Sequence, residues 1–245
     1  MEVTGKRVVI TGAGRGLGAV LARAFDDAGA QLVLAGRTRS ALDEVAGGLG
    51  RRPVIVAGDV RDAEFGEAIA DAGEQAYGGI DVWVANAGIS PAVTDAQTLS
   101  TEVWREIVDV NLTGVFLGAR VASRVLSDGG RIIVTSSVLG ERPKSGLSAY
   151  AASKRAIHAL VETLAQELGH RSITVNAVAL GWFDVGLGAL WNHDRSRGDE
   201  VIRHSALKRL GSDSDLPGVY LFLASSASAF VTGTTITVDG GYSLM

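Results

Sequence analysis

The stretch of this chain best suited to chemistry is Ser137 followed, thirteen positions later, by Tyr150-Ala-Ala-Ser-Lys154. A phenol is a poor base near neutrality because its free pKa is about 10, so proton transfer through it needs a positive charge close by. Tyr150 and Lys154 are four residues apart, which on a helix puts them on one face, a turn apart, and brings the ammonium towards the phenol oxygen. Ser137 closes the apolar run Arg131-Ile-Ile-Val-Thr-Ser-Ser137 and offers a hydroxyl to a substrate oxygen. Given a hydride, the three groups can reduce a carbonyl. The same tyrosine–lysine spacing also occurs on solvated helix surfaces, so the hydride donor must be sought elsewhere in the chain.

Its place is near the start. Arg7-Val-Val-Ile-Thr11 is a β-branched run, followed by Gly12-Ala-Gly14-Arg15-Gly16-Leu17-Gly18 and then by helical spacing from Ala19 to Ala28, with Gly29 as the stop. A strand, a glycine turn and a helix in that order leave the first free N–H groups of the helix aimed at one spot, which suits a pyrophosphate. Glycine is required where a side chain would block the phosphate. The second strand, Gln31 to Ala35, ends where such a fold reads the adenosine ribose. A carboxylate there favours NAD and cations favour a 2′-phosphate. The residues present are Gly36-Arg37-Thr38-Arg39, with Arg15 able to approach from the turn. The expectation is NADP(H), with NAD(H) as the alternative; the plain reading is that both arginines face water.

Further apolar runs supply the remaining strands. Pro53 to Ala57 ends in Gly58-Asp59-Val60, and Ile80 to Ala85 ends in Asn86-Ala-Gly88. In buried parallel sheets ligand residues sit just past such carboxyl ends. Helices are expected over Asp62 to Tyr77 and over Thr101 to Leu126, the latter carrying Asn111 among apolar neighbours. That amide is either a satisfied core group or a functional one; both readings stand. The loop Val138 to Ser148 leads into a helix that runs to about Leu168. A sixth strand spans Ser172 to Ala179, a final helix about Ser214 to Ala224, and a last strand Thr234 to Val238. Between them, Trp182 to about Gly211 has weak periodicity and is expected to form a lid over the site.

Bulk properties set limits. A chain of 245 residues, 47% hydrophobic and 20% charged, suits one globular α/β domain. A net charge of −4 speaks against nucleic acid or an anionic membrane as partner. With no cysteine there is no disulfide or thiolate chemistry, and the four histidines, His158, His170, His193 and His204, lack zinc-ligand spacing. Neither a signal peptide nor a membrane-spanning run is read, so a cytoplasmic location is expected.

Taken together, Thr11-Gly12-x-x-x-Gly16-x-Gly18, Asp59, Asn86-Ala-Gly88, Asn111, Ser137, Tyr150-x-x-x-Lys154 and Val238-Asp-Gly-Gly241 resemble the short-chain dehydrogenase/reductase family in order and spacing, over essentially the whole chain. The resemblance implies a Rossmann-type, doubly wound, seven-stranded parallel sheet in a single domain, with NAD(P) bound. It implies that Tyr150 passes a proton to or from the substrate oxygen. Lys154 lowers the phenol pKa and holds the nicotinamide ribose, Ser137 orients the carbonyl, and Asn111 anchors a water that links Lys154 to solvent. Asp59 and Val60 are then placed against the adenine, and Asn86, with Gly88, towards the ribose and nicotinamide side. Gly181 and Phe183 fall against the cofactor and Trp182 against the substrate. A homotetramer or homodimer is implied, packed through the helices bearing Asn111 and Tyr150. Two positions depart from the family pattern: Leu180 stands for its proline, and Val185 for a threonine that binds the nicotinamide carboxamide, a hydrogen bond worth about 1 kcal/mol.

The expected activity is a carbonyl reductase or the reverse alcohol dehydrogenase, acting on a small-molecule ketone and secondary alcohol pair. Sugar or polyol dehydrogenases and 3-oxoacyl-type reductases are alternatives, though Asp128 in the turn Leu126-Ser-Asp-Gly-Gly-Arg131 and the acidic chain weaken the last. Trp182, Phe183, Leu187, Leu190 and Trp191 suit an apolar or ring-bearing substrate or simple packing; Glu141, Arg142 and Lys144 suit a polar one or solvent. A nucleotide sensor without chemistry is the reading from another class.

Overall fold

Short aliphatic runs closed by glycine or proline alternate along the chain with longer stretches at helical spacing, and this alternation builds a wound sheet. The computed structural model describes residues 2–90, 93–186 and 195–244. Its strands are β1 (Arg7–Thr11), β2 (Gln31–Gly36), β3 (Val54–Ala57), β4 (Ile80–Ala85), β5 (Leu126–Ser137), β6 (Thr174–Leu180) and β7 (Thr235–Val238). They form one parallel sheet in the order β3-β2-β1-β4-β5-β6-β7. The helices are α1 (Gly16–Asp27), α2 (Arg39–Gly47), α3 (Ala63–Tyr77), α4 (Thr101–Val108), α5 (Gly114–Val125), α6 (Ser148–Leu168), α7 (Arg195–His204) and α8 (Pro217–Ala224). Winding runs outward from β1 in one direction and from β4 in the other, so a crevice opens at the carboxyl ends of these two strands.

Successive side chains of each strand point to opposite faces, and both faces are covered. Val8, Ile10 and Ile133 join Phe25 of α1 and Tyr220 and Leu223 of α8 in one apolar layer. Val9, Trp83 and Ile132 join Ile69 of α3, Val121 of α5 and Ile157 of α6 in the other. Each of these fully buried side chains contributes about 1.5–3 kcal/mol of transfer free energy.

Several boundaries differ from the sequence expectation, each for a local reason. The single helix expected over Thr101 to Leu126 is broken by a π-helical turn, Asp109–Thr113, and stops at Val125. The wider turn carries Asn111 at full burial, and such turns often mark functional positions. Leu126 to Arg131, read as a turn, lies within β5. The ladder steps from the pair Ile80–Leu126 to the pair Val82–Arg131, so the intervening residues bulge. Asp128 on that bulge is paired with Arg171 at 2.9 Å. α1 begins at Gly16, earlier than its apolar spacing suggested, and β6 starts only at Thr174 because Ser172 takes a left-handed φ of 56°. Among the described residues no helix is long and apolar enough to cross a membrane.

Candidate active site

Ser137 is the last residue of β5, and its Oγ accepts the Leu139 N–H at 3.2 Å, which holds the chain as it leaves the sheet. Tyr150 lies in the first turn of α6 and Lys154 one turn later. Lys154 is buried, with 3% of its surface exposed, and its Nζ donates to the Thr135 carbonyl oxygen at 2.9 Å while lying 5.8 Å from the centroid of the Tyr150 ring. Burial lowers the ammonium to a pKa of about 8. It also raises the Tyr150 phenol above its ordinary value, against a smaller opposing effect of the Ser137 hydrogen bond. This corrects the expectation that Lys154 holds the phenol low: in this geometry the ammonium bonds to a backbone carbonyl, and desolvation dominates the tyrosine.

Asn111 is a satisfied core amide. Its Oδ1 accepts the Ile89 N–H at 2.8 Å, and its Nδ2 donates to the Ile89 carbonyl oxygen at 2.9 Å and to Ser153 Oγ at 3.3 Å. It thereby ties the segment after β4 to α6. Gly88 lies between this amide and the lysine, since a Cβ built there falls 3.4 Å from Asn111 Oδ1 and 3.6 Å from Lys154 Nζ.

The glycine turn is shaped for a phosphate group. Gly16 has a left-handed φ of 55°, and a Cβ on Gly18 would overlap the Gly12 carbonyl oxygen, so α1 packs directly against the turn. From this turn a cavity of about 750 Å³ runs past Gly14, Leu17, Asp59, Val60, Asn86 and Gly88 to Ser137, Tyr150 and Lys154. Arg15, Arg37, Gly181, Trp182 and Phe183 also line it. The cradle and its length fit a dinucleotide: the turn would hold the pyrophosphate at the α1 N-terminus, and Lys154 and Tyr150 would stand at the reacting end.

Neighbours refine several assignments. Asp59 accepts from Arg61 Nη2 at 2.7 Å and Nε at 3.1 Å, and this contact holds its carboxyl below the ordinary range. Arg39 is bound to Asp43 at 3.0 Å on the exposed face of α2. Phe183 is a core residue as well as a wall, and Val185 packs against the same apolar layer. Lys144 is drawn over the rings of Trp182 and Tyr242, 5.6 and 5.4 Å from their centroids, and to Glu200 at 3.6 Å. Leu187, Leu190, Trp191 and His193 lie outside the described residues. No group of three or more His, Asp or Glu side chains suited to a metal occurs among the described residues. Sequence reasoning missed Thr135, which lies two residues before Ser137 and so on the same face of β5. Strand alternation was the signal that could have found it.

The likenesses agree with this geometry. A family model described as enoyl-(acyl carrier protein) reductase matches residues 12–243. A 3beta-hydroxysteroid dehydrogenase 1 of Eggerthella lenta is 37% identical, over 99% of this chain and 95% of that one. A glucose 1-dehydrogenase of Gluconobacter oxydans is 36% identical, over 98% and 92%. The crystal structure of a short chain dehydrogenase from Burkholderia cenocepacia in complex with NADP superposes with a TM-score of 0.92 at 32% identity, over 99% of both chains. A likeness that runs from the glycine turn to the last strand, in sequence and backbone alike, leaves one conclusion: the chain belongs to the short-chain dehydrogenase/reductase family.

Proposed function

We propose that this oxidoreductase interconverts a ketone and a secondary alcohol with NADP(H), and that Tyr150 moves the proton. The observation that carries the reading is the convergence of Ser137, Tyr150 and Lys154 on a cavity that Arg15 and Arg37 also line. A bound nicotinamide supplies or takes the hydride. In reduction, the Tyr150 O–H gives its proton to the substrate oxygen, which Ser137 holds. The raised phenol pKa keeps that proton in place at neutral pH. In oxidation the phenol must first ionise, a step that its burial opposes.

Support for NADP(H) comes from what the arginines do. Arg39 is taken up by Asp43, whereas Arg37, at the end of β2, and Arg15, in the turn, face the cavity. Substrate size follows from the walls: Leu139, Leu147 and Trp182 suit a ring-bearing alcohol, and the named relatives include dehydrogenases of a hydroxysteroid and of cis-4-hydroxycyclohexanecarboxylate. A sugar or polyol is the second reading, favoured by relatives named for glucose and galactitol. The segment from Trp182 to Gly211, of which 187–194 lie outside the described residues, would serve as lid; its described ends are tied where the Gly211 N–H donates to the Trp182 carbonyl at 2.9 Å and the Asp184 N–H to the Gly211 carbonyl at 2.8 Å.

The experiment is a titration with NADPH and NADH, followed by nicotinamide fluorescence, on wild type and Arg37→Ala, with turnover measured on Tyr150→Phe. Expected are tighter NADPH binding selectively lost in Arg37→Ala, and turnover reduced by about 10²–10⁴ in Tyr150→Phe with cofactor binding kept. Equal affinity for the two cofactors overturns the 2′-phosphate assignment, and full turnover in Tyr150→Phe overturns the mechanism.

A further inference from the structure

We infer that Tyr220, on the far side of the sheet from the catalytic helix, is a positioning residue that acts through Thr135 on Asn86; the inference rests on the oxidoreductase reading above. α8 is otherwise apolar, Pro217-Gly-Val-Tyr-Leu-Phe-Leu-Ala224, and Tyr220 is fully buried within it. A ring at this place needs no hydroxyl to fill the core, and a buried hydroxyl costs free energy unless it is bonded. The Tyr220 hydroxyl finds Thr135 Oγ1 at 2.8 Å, and Thr135 Oγ1 is in turn 3.3 Å from Asn86 Oδ1.

Proton counting fixes the direction of this chain. Asn86 Nδ2 donates to the Thr11 carbonyl oxygen at 3.0 Å, so the amide oxygen is the atom that faces Thr135, and it can only accept. The single Thr135 hydroxyl proton therefore goes to Asn86, and Tyr220 must donate to Thr135. Burial raises the phenol pKa, which keeps Tyr220 a donor across the working range.

Two parts of the site meet at Thr135. Its side chain leads through Asn86 to Thr11, whose Oγ1 accepts the N–H groups of Asn86 and Ala87 at 3.0 and 3.1 Å, at the entry to the glycine turn. Its carbonyl takes the Lys154 ammonium at 2.9 Å. Thr135, Asn86 and Lys154 line the cavity, and Tyr220 does not. Tyr220 can therefore influence the reaction only by setting where the others stand.

The test is NADPH titration and steady-state kinetics on Tyr220→Phe, Thr135→Val and the double variant. Tyr77→Phe is the control, because it removes a phenol bound to the Leu32 carbonyl at 3.1 Å. Tyr220→Phe is expected to raise the Kd and KM for NADPH about fivefold, as loss of one neutral hydrogen bond does, with a smaller change in kcat. Thr135→Val should raise Kd at least as far, and the double variant no further than Thr135→Val alone. Tyr77→Phe should lower the melting temperature without moving Kd. An unchanged Kd in Tyr220→Phe, or effects of Tyr220→Phe and Thr135→Val that multiply in the double variant, overturns the inference while the oxidoreductase reading stands. If Tyr220→Phe does not fold, an unchanged Kd in Thr135→Val overturns it equally. A wild type that binds neither NADPH nor NADH overturns the oxidoreductase reading and this inference with it.

Discussion

Burial acts with opposite sign on the two titrating groups of the site. Removing water disfavours whichever form is charged, so the Tyr150 phenol rises and the Lys154 ammonium falls to about 8. Its value in an unfolded chain is near 10.5. Below about pH 8 both the folded and the unfolded lysine are charged and the full desolvation penalty is present. Between 8 and 10.5 the unfolded chain binds more protons than the folded one, so stability contributed by this group rises with pH. In Lys154→Met the penalty is absent at every pH. The denaturation free energy of wild type relative to Lys154→Met should therefore improve by roughly 2 kcal/mol between pH 7 and pH 10. Urea unfolding of both proteins at the two pH values measures it, and a pH-independent difference would show that the lysine is not desolvated. Residue types and spacing were enough to single out Ser137, Tyr150 and Lys154, which the structure brings to one cavity. The bond from Lys154 to Thr135 was not legible, because it depends on how α6 lies against β5 across 19 positions of sequence.

At the scale of elements, the glycine turn and the strands beside it were readable because their signals are local: β-branched runs, glycines and a helical period. The π turn at Asn111 was not, because one additional residue in a helical turn leaves the apolar pattern nearly unchanged. Its cause is non-local. The Asn111 amide must reach both polar groups of the Ile89 peptide and the Ser153 hydroxyl. Asn111→Leu keeps the branched shape but leaves the Ile89 N–H and C=O without their side-chain partner, each worth about 1–3 kcal/mol, while the Ser153 hydroxyl keeps its bond to the Tyr150 carbonyl. The expected outcome is a loss of at least about 2 kcal/mol in stability, with hydrogen exchange at the Ile89 amide rising more than exchange in β2. If exchange at Ile89 stays at the wild-type rate, the amide does not hold the segment after β4.

For the whole molecule, the two apolar layers account for the sheet and its helices but leave a surface uncovered. Trp104 on α4 and Phe116 on α5 are 40% and 44% exposed, and Phe230, just before the edge strand β7, is fully exposed. An edge strand with open hydrogen-bonding groups beside a bare aromatic ring is a surface that proteins normally cover. Charge patterning gave no view of this, since exposure is set by the packing of the other faces. The proposed homo-oligomer, joined in part through α4 and α5, would bury Trp104 and Phe116. Because only the folded assembly gains that burial, the melting temperature should rise with protein concentration. Sedimentation should give a multiple of the 25.4 kDa chain mass. Trp104→Glu with Phe116→Glu would place two charges in the contact, which should reduce the mass and abolish the concentration dependence while leaving the circular dichroism of the chain intact. A wild-type mass of 25.4 kDa at working concentration rejects the assembly, and an unchanged mass in the double variant moves the contact away from α4 and α5, towards the edge at β7.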